Sequence, residues 1–390
     1  MFLLIALCLP AVIILGIILS PIWPLSTDSY YSKRLSIKKL WIFSLASFIV
    51  SGVVCAILYW SAYAKLMDRE VWHFKIMSIC HQEEWTTEES YTVTIDDGDT
   101  TDSEGHTHHH SHTETRYRTN HHGPYWTAQD ERGIDHNINP HEYTSWAKIW
   151  SNEKQTGIHK GSSAGGDRSI TGRIFGCKWT RDFDKIYPYS EINFYENKVR
   201  HCSSVFKGKE PTKELEAKYP RPAEIGNTSS VIGYSASLPT IDVQMIDRVN
   251  AHLGPKYLVH SILVILNKNA DRSQVDDILT AWRNVNKNEL VTFICLDGKT
   301  VKWCEVHSWM DNTTIHAAIR DVMIDGDFSA KKYADTLMLE IPKHWFKKNF
   351  HDFDYLKVEI SPGWKIAAVS IILLAMVCLY FLIDNMIYKV

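Results

Sequence analysis

Three long apolar runs dominate the hydropathy pattern of the chain, two near its beginning and one near its end. The last run, Ile366 to Ile383, carries no charged residue and is flanked by Trp364 and Tyr388. About 20 apolar residues are needed to cross a hydrocarbon core of roughly 30 Å, and aromatic residues gather at its two interfaces. The pattern therefore predicts transmembrane helices at residues 1–20, 40–60 and 364–386.

The short segment between the first two runs, residues 21–39, is basic. It carries Lys33, Arg34, Lys38 and Lys39. Because Lys and Arg accumulate in short cytoplasmic loops, this segment is predicted to be cytoplasmic. The expected localisation is an integral membrane protein with three spans in the lipid bilayer, its N-terminus outside and its C-terminus inside. The large middle region would then be extracytoplasmic, or periplasmic in a bacterium.

The middle region begins with a change to period-two alternation, which is typical of β-strands. Residues 78–95 are rich in Thr, Tyr and Trp, and residues 112–129 have a similar composition. The two segments are predicted to form a long antiparallel pair. The acidic stretch between them, Asp96 to Gly105, contains turn-forming residues and is predicted to be a mobile hairpin tip.

A histidine-rich tract follows this tip. Neutral imidazole is a common ligand of zinc, nickel and copper, so the tract is a candidate metal site beside the acidic residues of the tip. A solvated low-complexity loop and a pH-sensitive loop are the alternatives. The candidate metal ligands are His106, His108, His109, His110 and His112.

The rest of the middle region divides at a charged stretch bounded by prolines, residues 210–225, which is predicted to be a linker. Residues 65–209 form the predicted β-rich domain, which includes a helix beginning at Asn139 with Pro140 and Glu142 in its first turn. Residues 226–345 alternate between apolar strands and helices, as in an α/β sandwich with a small mixed sheet. Gly254-Pro255 is predicted to end the first of these helices, and Asp297-Gly298 is predicted to be the turn of a β-hairpin. The predicted fold class is thus a multi-pass membrane protein with a soluble α+β region.

Five cysteines lie in the middle region, and none has C-x-x-C spacing. Cys177 and Cys202 flank a strand-like stretch and are the best candidates for a disulfide. Five reduced cysteines are the alternative. A formal net charge of −3 gives no basic footprint for nucleic acid, so we expect no nucleic-acid partner.

Residues 257–345 resemble the TPM-domain family, which includes photosystem II repair proteins and membrane-tethered extracytoplasmic proteins. The resemblance rests on the order of SILVILNK, ELVTFICLDGKTVKW, IHAAIRDVM, an acidic turn and SAKKYADTLM. Some family members are credited with phosphatase activity or calcium binding. The resemblance therefore implies either a hydrolase or a calcium site at the turn that holds Asp325 and Asp327.

The residues themselves reveal no nucleophile with a neighbouring base and no complete ligand set. The favoured function is a membrane-tethered scaffold or binding protein that acts through metal or through other membrane or envelope proteins. The alternative is a membrane-anchored phosphatase or other hydrolase of the TPM type.

Overall fold

A computed structural model shows an α/β protein with long exposed strands and two sheets packed with helices. Contacts between residues divide the chain into two compact units. One comprises Met1–Arg69, Phe194–Glu210 and Asn349–Val390, and the other comprises Glu70–Asn193 and Pro211–Lys348. The residues that the structure describes are 30–64, 66–166, 168–199, 212–223, 228–233, 240–310, 312–324, 326–353, 355–356 and 362–388.

The first unit contains two long helices that contact each other, α1 (Tyr30–Ala64) and α8 (Pro362–Tyr388). Part of the basic segment predicted as a loop is helical, because α1 begins at Tyr30. Asn197 donates from Nδ2 to Asp68 Oδ2 at 2.8 Å within the same unit.

The predicted membrane spans are corrected by the structure. Over the described ranges, no helix reaches the combination of length and hydropathy that crossing a bilayer requires. The run at residues 40–60 lies in α1 and the run at 364–386 lies in α8, whereas residues 1–20 lie outside the described part. The multi-pass fold class and the three-span integral localisation, with the orientation derived from it, are therefore wrong. Run length alone was misleading, because an apolar run can also supply a contact between helices: Ala368 and Ile372 are buried, although Ile366 and Leu374 on the same helix are exposed.

The second unit contains a six-stranded antiparallel sheet in the order β5-β4-β1-β7-β6, with β8 also paired to β1. Its core includes Ile76, Ile79, Ala128 and Trp150. The strands are β1 (Met67–Gln82), β4 (Tyr125–Asp130), β5 (Asp135–Asn137), β6 (Lys154–His159), β7 (Gly172–Lys178) and β8 (Tyr187–Glu196).

Helix α2 (Pro140–Trp150) packs against this sheet and confirms the predicted helix start. The side chain of Asn139 accepts a hydrogen bond from the Glu142 backbone N–H at 2.8 Å, and the Glu142 carboxylate accepts one from the Asn139 N–H at 3.0 Å. This reciprocal pair satisfies two backbone donors that a helix N-terminus leaves without partners.

A second, four-stranded sheet has the order β12-β11-β10-β9. Strands β9 (Val231–Gly233), β10 (His260–Asn267) and β11 (Glu289–Asp297) are parallel, and β12 (Thr300–Ser308) is antiparallel to β11. The predicted β11–β12 hairpin at Asp297-Gly298 is confirmed. Every residue of β10 except Asn267 is buried, as expected for a strand that is covered on both faces.

Helices cover both faces of this sheet. One face is covered by α4 (Thr240–Tyr257), α6 (Thr314–Ile324) and α7 (Ala330–His344), and the other by α5 (Ser273–Trp282), with α3 (Lys213–Lys218) adding Leu215 at its margin. Helix α4 passes through the Gly254-Pro255 pair that was predicted to end it. Pro255 has no N–H to donate to the preceding turn, and α4 ends two residues later, at Tyr257.

The predicted linker, residues 210–225, is partly packed in the described structure. It contains α3, and Tyr219 just after α3 is only 1% exposed. Arg221 Nη2 donates to Asn286 Oδ1 at 2.7 Å. The described part of this segment therefore belongs to the core of the β9–β12 sheet, and both sheets fall in the same compact unit.

Candidate metal-binding ribbon

Strands β2 (Trp85–Thr101) and β3 (Thr107–His122) form a separate two-stranded sheet, called the ribbon below. The predicted antiparallel pairing of these segments is confirmed, with a register that runs from Trp85↔His122 to Thr101↔Thr107. Most ribbon residues are exposed on both faces. Thr, Tyr and Val favour this extended conformation, and the ribbon offers its side chains to solvent.

The turn of the ribbon is shorter than the sequence predicted. The ladder continues through most of the acidic stretch, so that only residues 102–106 connect the strands. The Asp102 carboxylate accepts hydrogen bonds from the backbone N–H groups of Glu104 at 3.0 Å and His106 at 2.9 Å. These bonds, led by the one from His106, lower the pKa of Asp102. The stretch predicted to be mobile is thus largely strand, with its turn fixed by Asp102.

Alternation along β3 places the histidines on two faces. His106, immediately before β3, is followed at two-residue steps by His108, His110 and His112, and side chains at that spacing share a face about 7 Å apart. His109 has the opposite parity and pairs with Asp99 across the ribbon. A bulge at Asp96/Gly98 adds one residue to β2 and places Asp97 beside His112.

Carboxylates of β2 and the turn bind the imidazoles of β3. Asp102 Oδ2 lies 3.5 Å from His106 Nδ1 and 3.3 Å from His108 Nε2. His112 Nδ1 lies 2.7 Å from Asp97 Oδ1. The Thr100 hydroxyl is 2.6 Å from His110 Nε2. The sequence placed acids and histidines in the same region, but the individual pairs depend on the bulge and the register.

The five predicted metal ligands are therefore brought to one end of the ribbon, but on two faces. Among the described residues, no group of three or more His, Cys, Asp or Glu side chains has the arrangement of a formed metal centre. The closest approach is the Asp102–His106–His108 trio, in which one carboxylate oxygen serves two imidazoles. These side chains are exposed, by 37%, 72% and 61% respectively, and have room to reorient.

The base of the ribbon is anchored by residues that sequence reasoning missed. The Glu88 carboxylate accepts hydrogen bonds from the backbone N–H groups of Ala164 at 3.0 Å and Gly165 at 2.8 Å. These bonds, led by the one from Gly165, lower the pKa of Glu88. The glycine-rich loop at 161–166 thus holds a carboxylate of this chain. No spacing rule would have linked Glu88 to a loop 75 residues away.

Aromatic stacking adds to this anchor. The indole of Trp85 lies between two imidazoles, with ring centroids 3.8 Å from His159 and 4.9 Å from His122. His122 is also 2.8 Å from the Thr87 hydroxyl. The two histidines at the base therefore stack on an indole, whereas the exposed ones near the turn contact carboxylates and a hydroxyl.

The other predicted sites receive less support. Asp327 accepts a hydrogen bond from the Thr300 hydroxyl at 2.8 Å, and Asp325 lies outside the described residues. Cys177 is a buried free thiol whose pKa is raised to about 11, mainly by burial. Its predicted disulfide partner, Cys202, lies outside the described residues, so the disulfide stays a prediction.

Comparison with protein-family models and with curated proteins finds no match to this chain. Its function is therefore argued from its own geometry.

Proposed function

We propose that the protein is a binding protein whose ribbon captures a divalent transition-metal ion. The observation that carries this proposal is the position of Asp102 Oδ2, within 3.5 Å of imidazole nitrogens from both His106 and His108. Two ligand atoms bound to the same tetrahedral ion lie about as far apart as these atoms do, because metal–nitrogen and metal–oxygen bonds are about 2.0–2.2 Å long. Small side-chain rotations would direct the three groups to a common point.

The donor set favours zinc, nickel or copper over calcium. Imidazole nitrogen suits these ions, whereas calcium takes six to eight oxygen ligands. His110 and His112 continue the same face and offer further ligands, and Asp97 lies beside His112. The trio leaves coordination positions open to water or to a side chain of another molecule. A protein partner would then be recognised through the metal.

The hydrolase alternative has no comparable support. Of the two aspartates in its acidic turn, the described residues include Asp327, whose carboxylate accepts a hydrogen bond from the Thr300 hydroxyl. The likeness of residues 257–345 to the TPM-domain family, and the calcium site that it implies, stay predictions. An assay with a phosphate ester and added divalent metal would test them directly.

Calorimetric titration of the full chain with Zn²⁺, Ni²⁺, Cu²⁺ and Ca²⁺ tests the proposal. We expect binding of at least one of the first three ions and its loss in the double variant His106→Asn/His108→Asn. The matched control is His109→Asn/His121→Asn, which also removes two exposed ribbon imidazoles but leaves the trio intact.

The two double variants separate a defined site from a general effect of histidine number. Equal loss of affinity in both would contradict a centre at Asp102, and absence of binding by the wild-type chain would refute metal capture. Binding of calcium alone, unchanged in either variant, would support the acidic turn instead. Circular dichroism at each step verifies that the variants remain folded.

A further inference from the structure

Two histidines from different sheets meet in the interior of the second unit. His73 lies on β1 and His260 is the first residue of β10. Their ring centroids are 4.6 Å apart with an interplanar angle of 54°. His73 is 3% exposed and His260 is fully buried. This contact joins the six-stranded sheet, which lies next to the ribbon in the chain, to the four-stranded sheet.

The pair is poor in hydrogen-bond partners. His73 Nδ1 is 2.8 Å from the Ser190 hydroxyl, but His73 Nε2 and both ring nitrogens of His260 have no hydrogen-bond partner within the part of the chain that the structure describes. Asn288 Oδ1 is also without one, while its Nδ2 donates to the Val71 carbonyl on β1 at 2.9 Å. A buried polar atom without a partner is destabilising, and such atoms are rare in folded proteins.

Burial makes the charged form of either ring unfavourable. It lowers the pKa of His73 from 6.5 to about 3. The pKa of His260 is also lowered well below its ordinary value, first by burial and then by the proximity of His73. Both rings are therefore neutral in the folded protein at neutral pH. A proton on one of them would place a charge against the other ring.

Among the described residues, the charged groups on the surrounding elements interact with groups other than the two imidazoles. On β1, Glu70 is bound by Lys347 and Lys287, and Lys75 by Glu131. Arg132 bridges Asp130 and Glu191, the latter on β8. At the start of β11, the Glu289 carboxylate accepts a hydrogen bond from the Asn286 backbone N–H. On α4, Asp247 interacts with Ser230, and burial lowers the pKa of His252.

A cavity of about 90 Å³ borders this contact. It is lined by His73, by the charged Arg132 and by mainly apolar residues of β1, the end of α4 and the segment that precedes β10, among them Val71, Pro255 and Val259. Gly254 packs so closely here that a Cβ atom would stand 2.9 Å from His73 Cβ. The backbone is tightly fitted around His73, yet the cavity beside it gives the contact room to loosen.

We infer that the His73–His260 contact is an acid-sensitive joint, which holds the two sheets together at neutral pH and opens when either ring takes up a proton. The folded-state pKa values lie below the unfolded-state values, so stability from this contact is complete above pH 6.5. It is lost as the pH falls toward 3. Each pH unit below 6.5 favours the open state by up to about tenfold per histidine.

Hydrogen exchange of the full chain, measured between pH 7.5 and pH 5.0 and corrected for intrinsic exchange rates, tests the joint. We expect protection to fall at least tenfold in β1 and in the first residues of β10, while β11 and β12 keep theirs. In the variant His260→Phe, which retains a ring of similar size, this pH dependence should be largely lost. His141→Phe, at an exposed position, is the control and should behave as wild type.

Uniform loss of protection through all strands would contradict a local joint. Equal pH dependence in the wild type and in His260→Phe would show that other groups are responsible. If His260→Phe fails to fold, NMR titration of the wild-type imidazoles decides: rings that titrate near pH 6.5 while β1 and β10 stay protected would overturn the inference. None of these outcomes depends on metal binding by the ribbon.

Discussion

Trp282 donates its indole N–H to the backbone carbonyl of Tyr219 at 2.9 Å, and both residues are about 1% exposed. The bond ties the segment after α3 to the end of α5. A buried carbonyl requires a hydrogen-bond donor, and Trp282 supplies it. This bond helps to explain why the described part of residues 210–225 packs with the β9–β12 sheet.

Trp282→Phe should therefore destabilise the second unit. A smaller aromatic ring remains, and the Tyr219 carbonyl loses its donor, which typically costs about 1–3 kcal/mol in addition to the cost of the lost volume. Chemical unfolding monitored by circular dichroism measures the change. Trp303→Phe removes a longer indole bond of 3.3 Å to Ala270 at a half-buried position, and it should cost less.

Gly233→Ala should be strongly destabilising. Gly233 has φ = +95°, and an added Cβ would lie 2.5 Å from the Ile265 carbonyl oxygen and 2.8 Å from the Tyr219 ring. Backbone strain of this kind costs about 1–3 kcal/mol before the clash is counted. Gly298→Ala, with φ = +64° and open space around it, isolates the strain from the clash. Similar thermal midpoints for the two variants would contradict the expected clash.

Asn139→Ala should lower the unfolding free energy by about 1 kcal/mol, because it removes the cap of α2. Asn139→Asp keeps an oxygen acceptor and should be nearly neutral. Urea denaturation of both variants provides the comparison. An equal loss of unfolding free energy in both variants would indicate that the side-chain NH2 group of Asn139, and not its capping oxygen, stabilises the protein.

Asp247→Asn should change stability in a pH-dependent way. Burial raises the pKa of Asp247, with the hydrogen bond to Ser230 opposing it, so the folded state favours the protonated carboxyl. This contribution is fully present below the unfolded-state pKa and is lost as the pH rises through the folded-state pKa. The variant should be close to neutral near pH 4 and stabilising near pH 8. The same effect at both pH values in thermal unfolding would argue against a raised pKa.

Asp102→Asn should weaken metal binding by the ribbon at least tenfold, or about 1.4 kcal/mol. The amide oxygen can still accept the backbone bonds of the turn, so the change removes mainly the charge. Titration calorimetry with the best-binding ion measures it. Asp99→Asn, which faces His109, is the control and should have a smaller effect. An unchanged affinity in Asp102→Asn would place the ion elsewhere.

Local rules predicted the elements whose structure depends on neighbouring residues. The Asn139 cap, the Asp297-Gly298 hairpin and the pairing of β2 with β3 belong here. The bulge at Asp97 and the anchoring of Glu88 by residues 164–165 depend on register and on distant contacts, which hydropathy and spacing do not encode. The contact between His73 and His260 also depends on distant residues. From the sequence alone His260 is expected to be an ordinary core residue, because nothing in it shows that β1 packs beside β10.

The shortness of the ribbon turn has a practical consequence. Both strands are paired along their length, and Glu88 and Trp85 fix their base. A chain break or an inserted peptide at residues 103–105 would therefore loosen the bonds of Asp102 to Glu104 and His106 but leave the two packed sheets unchanged. The exposed Gly105, at φ = +87° and with open space around it, marks the place. A fluorophore or a second domain inserted there would report from the metal-binding end without disturbing either packed sheet.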